Sequence, residues 1–230
     1  MRYVRTALLT GLTLGAVVVA LLLLSGSTAT DPSPSPSASI GDFTPLQPNL
    51  SPAAKYIGER SIGVADAPVT LEVWTDYQCP ICGAWANGIE PILYERYVTE
   101  GKLRIVHHDF AFLGEESVAA ATGAACAEQQ GNAAFWSFHS YLFANQNGEN
   151  KGWFSGEHLR AIAEASGLDV TLWESCSADL AVRSKVLAET DAAHALGVSA
   201  TPTLRIGDWM SAGLPTIDEI TSRISAALAP

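Results

Sequence analysis

The stretch that decides the fold begins at residue 68 and reads Pro68-Val69-Thr70-Leu71-Glu72-Val73-Trp74-Thr75-Asp76-Tyr77-Gln78-Cys79-Pro80-Ile81-Cys82. Its first half is rich in β-branched and aromatic residues, which is typical of a strand. Residues 83–99 then have the apolar spacing of a helix, with a kink expected at Pro91. The sequence therefore predicts that Cys79 and Cys82 lie where a strand ends and a helix begins.

This position favours thiol chemistry at Cys79. A helix N-terminus presents unpaired N–H groups and a partial positive charge, so a thiol located there ionises more easily. Cys82 follows about one helical turn later, from where it can attack a mixed disulfide formed at Cys79. Pro80 suits the first helical turn, because the N–H that it lacks would have no partner there. Cys79 is therefore the expected nucleophile.

The Cys-x-x-Cys spacing by itself also fits a metal site or an inert structural disulfide. Zinc would need two further ligands, and the chain contains no second Cys-x-x-Cys and no His pair at finger spacing. His107 and His108 are adjacent on a predicted strand, so their side chains point to opposite faces. We therefore expect no metal and no organic cofactor at this motif.

The remaining pattern is that of an α/β domain. Residues 103–110 read as a second strand, which with the first strand and its helix makes a βαβ unit with a parallel pair. A long helical stretch follows, and the chain closes with a short strand and a helix. The predicted helices of the stretch span residues 115–130, 133–145, 157–166 and 178–196, with a surface loop at 145–152, and the closing strand and helix span 203–207 and 217–228.

Together these motifs resemble the DsbA-like thiol-disulfide oxidoreductases of the thioredoxin superfamily, in the branch that includes membrane-tethered bacterial proteins. The resemblance covers residues 57–228. It implies a thioredoxin-like fold for residues 56–230, with a helical insertion at about 112–197 between the βαβ unit and the last strand. The motifs that carry it, in the family's order, are Ala67-Pro68-Val69-Thr70-Leu71, Asp76-Tyr77-Gln78-Cys79-Pro80-Ile81-Cys82, Arg104-Ile105-Val106, Asp109-Phe110 and Gly197-Val198-Ser199-Ala200-Thr201-Pro202-Thr203.

The resemblance also implies roles for residues near Cys79. Pro202 would be the cis-proline that faces the active site, and Thr201 would offer backbone hydrogen bonds to an extended client segment. The residues alone favour an ordinary trans proline that opens an edge strand, because cis is the minority state. Pro80 and Ile81 would support the site.

Cys126 and Cys176 would form a structural disulfide, as members of this branch with a second cysteine pair tend to bridge it. Such a bridge closes a loop of about 50 residues and stabilises the fold by up to about 4 kcal/mol in the chain-entropy model. The residues alone leave open two buried free thiols or a relay that passes electrons to Cys79.

One position departs from the family pattern. The family often has a buried acid six residues before the first cysteine, where Val73 stands here. Glu72 is expected on the opposite face of the strand, exposed to solvent, and Asp76 reads as a turn or helix-start residue. Neither acid is assigned a catalytic role. The five histidines, at positions 107, 108, 139, 158 and 194, are expected to be structural or exposed.

The N-terminal region predicts a location outside the cytoplasm. Arg2 and Arg5 precede an uncharged apolar run, so residues 1–24 read as a transmembrane anchor or as a cleaved signal segment. Residues 25–55 are rich in Pro and Ser, and we expect a solvated linker. Asp and Glu number 24 against 13 Lys and Arg, a formal net charge of -11, which opposes binding to nucleic acid.

The expected activity is therefore oxidation of client-protein thiols through the Cys79 and Cys82 pair, outside the cytoplasmic membrane. A membrane partner would re-oxidise the pair. A reductase or isomerase would use the same residues, and a redox-inactive copper-handling module of thioredoxin-like fold is the alternative from another class.

Overall fold

The computed structural model describes residues 43–229. The apolar segment predicted at residues 1–24, and the first part of the expected linker, lie outside the described residues. None of the helices found between residues 43 and 229 has the length and hydropathy that a membrane-spanning helix needs.

Within this part of the chain the strands form one six-stranded sheet, in the order β1-β2-β4-β3-β5-β6. The strands are β1 (Ile57–Gly58), β2 (Ser61–Ile62), β3 (Val69–Thr75), β4 (Leu103–Asp109), β5 (Thr203–Ile206) and β6 (Trp209–Met210). The central pair β3 and β4 is parallel, as predicted, and every other pair is antiparallel. The strand that leads to the cysteines is therefore held on both sides.

The two faces of the sheet pack against two different hydrophobic clusters. Val73 pairs with His107 on β4 and with Leu204 on β5. Val73 and Leu204 belong to the main hydrophobic core. Trp74 points to the other face, where it forms a small cluster with Phe110, Ala193 and Val198. Both faces are covered, which is typical of a central strand in an α/β fold.

The helix that begins at Pro80 continues to Val98, and Pro91 does not interrupt it. Two α-helical segments, α1 (Pro80–Ala84) and α2 (Glu90–Leu93), alternate with π-helical turns at Trp85–Ile89 and Tyr94–Val98. Pro91 cannot donate to the carbonyl of Asn87, and that oxygen instead accepts a hydrogen bond from Asn49 Nδ2 at 3.1 Å. The two π-helical turns lie on either side of Pro91, the residue at which a kink was expected.

Five helices separate β4 from β5 and form the predicted insertion. They are α3 (Glu115–Glu128), α4 (Asn132–Ala144), α5 (Gly156–Ala165), α6 (Val170–Ser177) and α7 (Leu180–Ala195). Helix α8 (Ile217–Leu228) closes the chain, and its Ile220 and Ile224 belong to the main core. The insertion lies between the two parts of the sheet in sequence, as expected from the motif order.

Helix α6 was not predicted as a separate element. Its N-cap Asp169 accepts a hydrogen bond from the N–H of Leu172 at 3.0 Å, and Trp173 donates its indole N–H to the carbonyl of Gly123 on α3 at 2.9 Å. A disulfide joins Cys176 of α6 to Cys126 of α3, which is the pairing implied by the family resemblance. Contacts distant in sequence therefore fix a helix that is short and carries little local signal.

The packed domain begins before residue 55, which corrects the expected linker boundary. Leu50 is buried, and Phe43 packs edge-to-face on Trp153 with ring centroids 5.0 Å apart. The amide of Asn145 binds both the N–H and the carbonyl of Leu46, at 2.7 and 3.0 Å. A Pro- and Ser-rich segment cannot build its own core, but it adds to an existing surface when its backbone groups find partners there. The packed segment that begins at Phe43 continues to Ala54–Tyr56, a short 3-10 helix that precedes β1.

Candidate active site

Cys79 caps the helix that follows the central strand, where the sequence predicted it. Its backbone is extended, with φ -69° and ψ 119°, and Pro80 begins the helix. The carbonyl of Cys79 accepts the N–H of Gly83 at 3.1 Å, which closes the first turn. The free N–H groups of that turn therefore face the Cys79 sulfur.

The two thiols occupy opposite environments. Both are unbridged, and Cys79 is 7% exposed whereas Cys82 is fully buried. A hydrogen bond from Cys82, opposed by partial burial and assisted by Thr201 and the first-turn N–H groups, lowers the pKa of Cys79 to about 6. Burial, together with the hydrogen bond to Cys79 and the charge on that sulfur, raises the pKa of Cys82 far above its ordinary value. Cys79 is thus the thiolate of the pair at neutral pH.

The loop before β5 lies against Cys79. The Cys79 Sγ is 3.5 Å from the carbonyl oxygen of Thr201, and the peptide bond between Thr201 and Pro202 is cis. On the outer side, the side chain of Ile81 is 50% exposed, and Pro80 is exposed as well. The residues expected at the site, Cys79, Cys82, Thr201, Pro202, Pro80 and Ile81, are therefore brought together.

The side chain of Asp76 shapes the turn into the cysteines. Its buried carboxylate accepts hydrogen bonds of 2.6–3.1 Å from the N–H groups of Gln78, Phe112 and Leu113 and from the hydroxyl of Ser117. Burial raises its pKa, opposed by those hydrogen bonds. The carboxylate is occupied by backbone donors, as a turn-forming Asp is.

Glu72 points away from the cysteine side, as predicted, but it is only partly exposed. It accepts a hydrogen bond from the Arg205 guanidinium at 2.6 Å on the neighbouring strand, and one oxygen lies 3.3 Å from His108 Nε2. The expectation of a solvent-facing residue was therefore wrong in that respect. A cross-strand ion pair holds Glu72 in place.

A buried polar network lies on the cysteine side of the sheet, and the sequence did not predict it. The hydroxyl of Tyr77 is 3.0 Å from His139 Nδ1 and 3.4 Å from His107 Nε2. The same nitrogen of His107 is 3.0 Å from Asp109, which forms an ion pair with Arg60 at 2.8 Å. Burial opposes ionisation of Asp109, yet Arg60 and His107 together hold its pKa well below the ordinary value. The network fixes Tyr77, two residues before Cys79.

Loop 145–152, predicted only as a surface loop, also contacts the active-site segment. Gln146 binds two carbonyl groups beside Cys79, and the N–H of Asn150 donates to Gln78 Oε1 at 2.6 Å. No local pattern signals these contacts, because they join residues about 70 positions apart in the chain.

Comparison with known proteins places this geometry in a family. The family model described as thioredoxin matches residues 55–226. The probable disulfide bond formation protein D of Bacillus cereus is 27% identical over 153 residues, which is 66% of this chain and 71% of that protein.

Solved structures agree with the match. Oxidised BdbD from Bacillus subtilis superposes with a TM-score of 0.67 at 26% identity, over 82% of this chain and 99% of that chain. Alpha-DsbA1 from Wolbachia pipientis, at 21% identity, has a TM-score of 0.64 over 77% of this chain and 93% of its own, and it supports the fold alone. The chain belongs to the thioredoxin family and is a DsbA-like thiol-disulfide oxidoreductase.

Proposed function

We propose that this protein oxidises pairs of thiols in client proteins, outside the cytoplasmic membrane, through a disulfide between Cys79 and Cys82. The observation that carries the proposal is the contrast between the two sulfurs. Cys79 is 7% exposed and has a pKa of about 6, whereas Cys82 is fully buried and its pKa is raised. A client can therefore reach one sulfur and not the other.

The reaction is a double thiol-disulfide exchange. A client thiolate attacks Cys79 Sγ of the disulfide, the bond to Cys82 breaks, and the Cys82 sulfur takes up a proton in its buried position. The client's second thiolate then attacks the client sulfur of the mixed disulfide, and Cys79 leaves as a thiolate. The client loses two electrons, which the cysteine pair gains. The low pKa of Cys79 makes it a good leaving group in the second step.

Ionisation of Cys79 supports the oxidising direction. At pH 7 a thiol with a pKa of about 6 is about 90% ionised, which stabilises the reduced pair by about 1.4 kcal/mol relative to a thiol of pKa 9.0. For a two-electron couple this corresponds to a potential about 30 mV more oxidising. The relatives' names as disulfide bond formation proteins support the same direction.

Thr201 and Pro202 would hold the client beside Cys79. The carbonyl of Thr201 lies 3.5 Å from Cys79 Sγ, so an extended client segment bonded to the Thr201 backbone would bring its cysteine to the reactive sulfur. The exposed side chain of Ile81 offers apolar contact next to it.

The location and the membrane partner are also proposals. The disulfide between Cys126 and Cys176 supports an oxidising compartment. The apolar run that follows Arg5 within residues 1–24 supports attachment to or passage through the membrane. The reduced cysteine pair would then be re-oxidised by a membrane-bound partner.

The test is the equilibrium of the Cys79 and Cys82 pair with a glutathione buffer, combined with oxidation of reduced, unfolded ribonuclease. An oxidase gives a potential near about -120 mV and forms disulfides in the ribonuclease, and the Cys79→Ser variant does neither. A potential near about -270 mV would make the protein a reductase and overturn the oxidising direction. Tight copper binding by the reduced protein, with no ribonuclease oxidation, would instead support a copper-handling module.

A further inference from the structure

Gln146 connects the helical insertion to the cysteine motif. It lies in the loop after α4, and its side-chain amide nitrogen donates to the carbonyl of Tyr77 at 2.6 Å and to that of Cys79 at 3.0 Å. These two carbonyl groups flank Gln78 on the segment that leads into the helix. One donor group thus holds the backbone on both sides of the turn before the reactive cysteine.

The other end of the same side chain packs against the cysteine helix. A Cβ atom at Gly83 would collide with Gln146 Oε1, so the residue after Cys82 has to leave this space open. Gln146 is therefore enclosed between the loop that precedes Cys79 and the first turn of the helix that follows it.

The backbone that carries Gln146 is itself anchored. The side chain of Asn145 donates to the carbonyl of Tyr141 at 2.8 Å and bonds both backbone groups of Leu46. On the other side of the loop, Asn150 donates its N–H to the side chain of Gln78. The loop therefore presents Gln146 from a fixed position rather than from a free end.

The groups that act on the Cys79 sulfur are neutral and depend on its orientation. They are the Cys82 thiol, the Thr201 side chain and the N–H groups of Ile81 and Cys82. Hydrogen bonds weaken steeply when the donor angle is lost, so these groups act only while the Cys79 backbone keeps its conformation.

We propose that Gln146 is a positioning residue for Cys79, which holds the two carbonyl groups beside it so that the sulfur stays directed at its hydrogen-bond donors. This inference rests on the proposed function. Without the amide donor, the carbonyl groups of Tyr77 and Cys79 lose a part-buried hydrogen-bond partner, and the turn relaxes to find others. The thiolate then loses part of its stabilisation although Gln146 does not touch the sulfur.

The experiment is alkylation of the reduced protein by neutral iodoacetamide as a function of pH, with Cys79 followed by peptide mass spectrometry. Gln146→Met keeps the length of the side chain and removes the donor, and we expect about threefold to tenfold slower alkylation at pH 6 and a midpoint moved to higher pH. Gln146→Lys, which restores a donor, should recover the rate in 1 M salt, where direct charge effects are screened.

Gln130→Met is the matched control. Gln130 also makes two hydrogen bonds to backbone groups within the insertion, both to Asp169, at 2.8 and 3.0 Å. The Gln130→Met variant should therefore lose a similar pair of bonds and keep the alkylation midpoint of the wild type. If Gln146→Met does not fold, Gln146→Glu in 1 M salt takes its place, since it presents oxygen to both carbonyl groups and should slow the reaction further.

The two possible failures are distinct. If wild-type Cys79 reacts at pH 6 no faster than free cysteine, the proposed function fails whatever the variants do. If wild-type Cys79 is reactive and Gln146→Met has the same midpoint, or if Gln130→Met moves it equally, only the role of Gln146 is overturned.

Discussion

Glu90 makes the stability of the cysteine-bearing helical segment depend on pH. It lies on α2 and is 4% exposed, and burial raises its pKa to about 8, opposed by a hydrogen bond that its carboxylate accepts from Trp85. The reference pKa of the side chain is 4.5. At pH 7 the group is therefore neutral in the folded protein and ionised in the unfolded chain.

The sign follows from the protons bound in each state. Between pH 4.5 and about 8 the folded state holds the proton more tightly, so the free energy of unfolding falls as pH rises, by up to about 1.4 kcal/mol per pH unit. Below pH 4.5 the Glu90 side chain is neutral in both the folded and the unfolded state, and this loss of free energy of unfolding vanishes. Glu90→Gln cannot ionise, so we expect it to match the wild type near pH 4.5 and to exceed it by up to about 3 kcal/mol at pH 7.

Urea denaturation of both proteins from pH 4.5 to 8.5 measures this difference. The control is Glu95→Gln, which changes an exposed acid in the adjoining π-helical turn and should show no such trend. A stability difference between Glu90→Gln and wild type that stays constant over this range, or that grows towards low pH, would refute the reasoning.

Thr201→Val removes the hydroxyl that helps to lower the pKa of Cys79, and we expect that pKa, measured by alkylation, to rise by about one unit. Thr203→Val, whose hydroxyl bonds Ala200, should not change it, and an equal rise there would point to general disturbance of the loop. Asp76→Asn should lower the free energy of unfolding by about 2 kcal/mol or more while leaving the alkylation midpoint in place; a shifted midpoint would make Asp76 a thiol-tuning residue. Replacing both Cys126 and Cys176 with Ala should lower the free energy of unfolding by up to about 4 kcal/mol, measured by urea denaturation, and an unchanged urea midpoint would contradict a structural role.

The parts of the fold with strong local signals could be predicted from the sequence. The run from Val69 to Thr75 is β-branched and aromatic, and it continues directly into Cys79 and a proline suited to a first helical turn. The parallel pairing of β3 and β4 follows from the strand-helix-strand order alone. These elements fix where the thiols lie.

The rest depends on contacts between distant residues. The short helix α6 is held by Trp173 and by the disulfide to α3. Residues 43–52 are held by the hydrogen bonds of Asn145 to Leu46 and by the packing of Phe43 and Leu50. The same holds for Gln146, because its hydrogen-bond partners Tyr77 and Cys79 lie 69 and 67 residues earlier in the chain. The pairing of Cys126 with Cys176 came from the family resemblance, since the spacing of the two residues left other states open.

The most direct measurement of the central claim is the pH dependence of alkylation at each cysteine of the reduced wild-type protein, resolved by mass spectrometry. We predict that Cys79 reacts with a midpoint near pH 6 and that Cys82 stays unmodified while the protein is folded. A midpoint of about 8.5 for Cys79, the ordinary value of a free thiol, would contradict this claim. Equal modification of both sulfurs would contradict it as well.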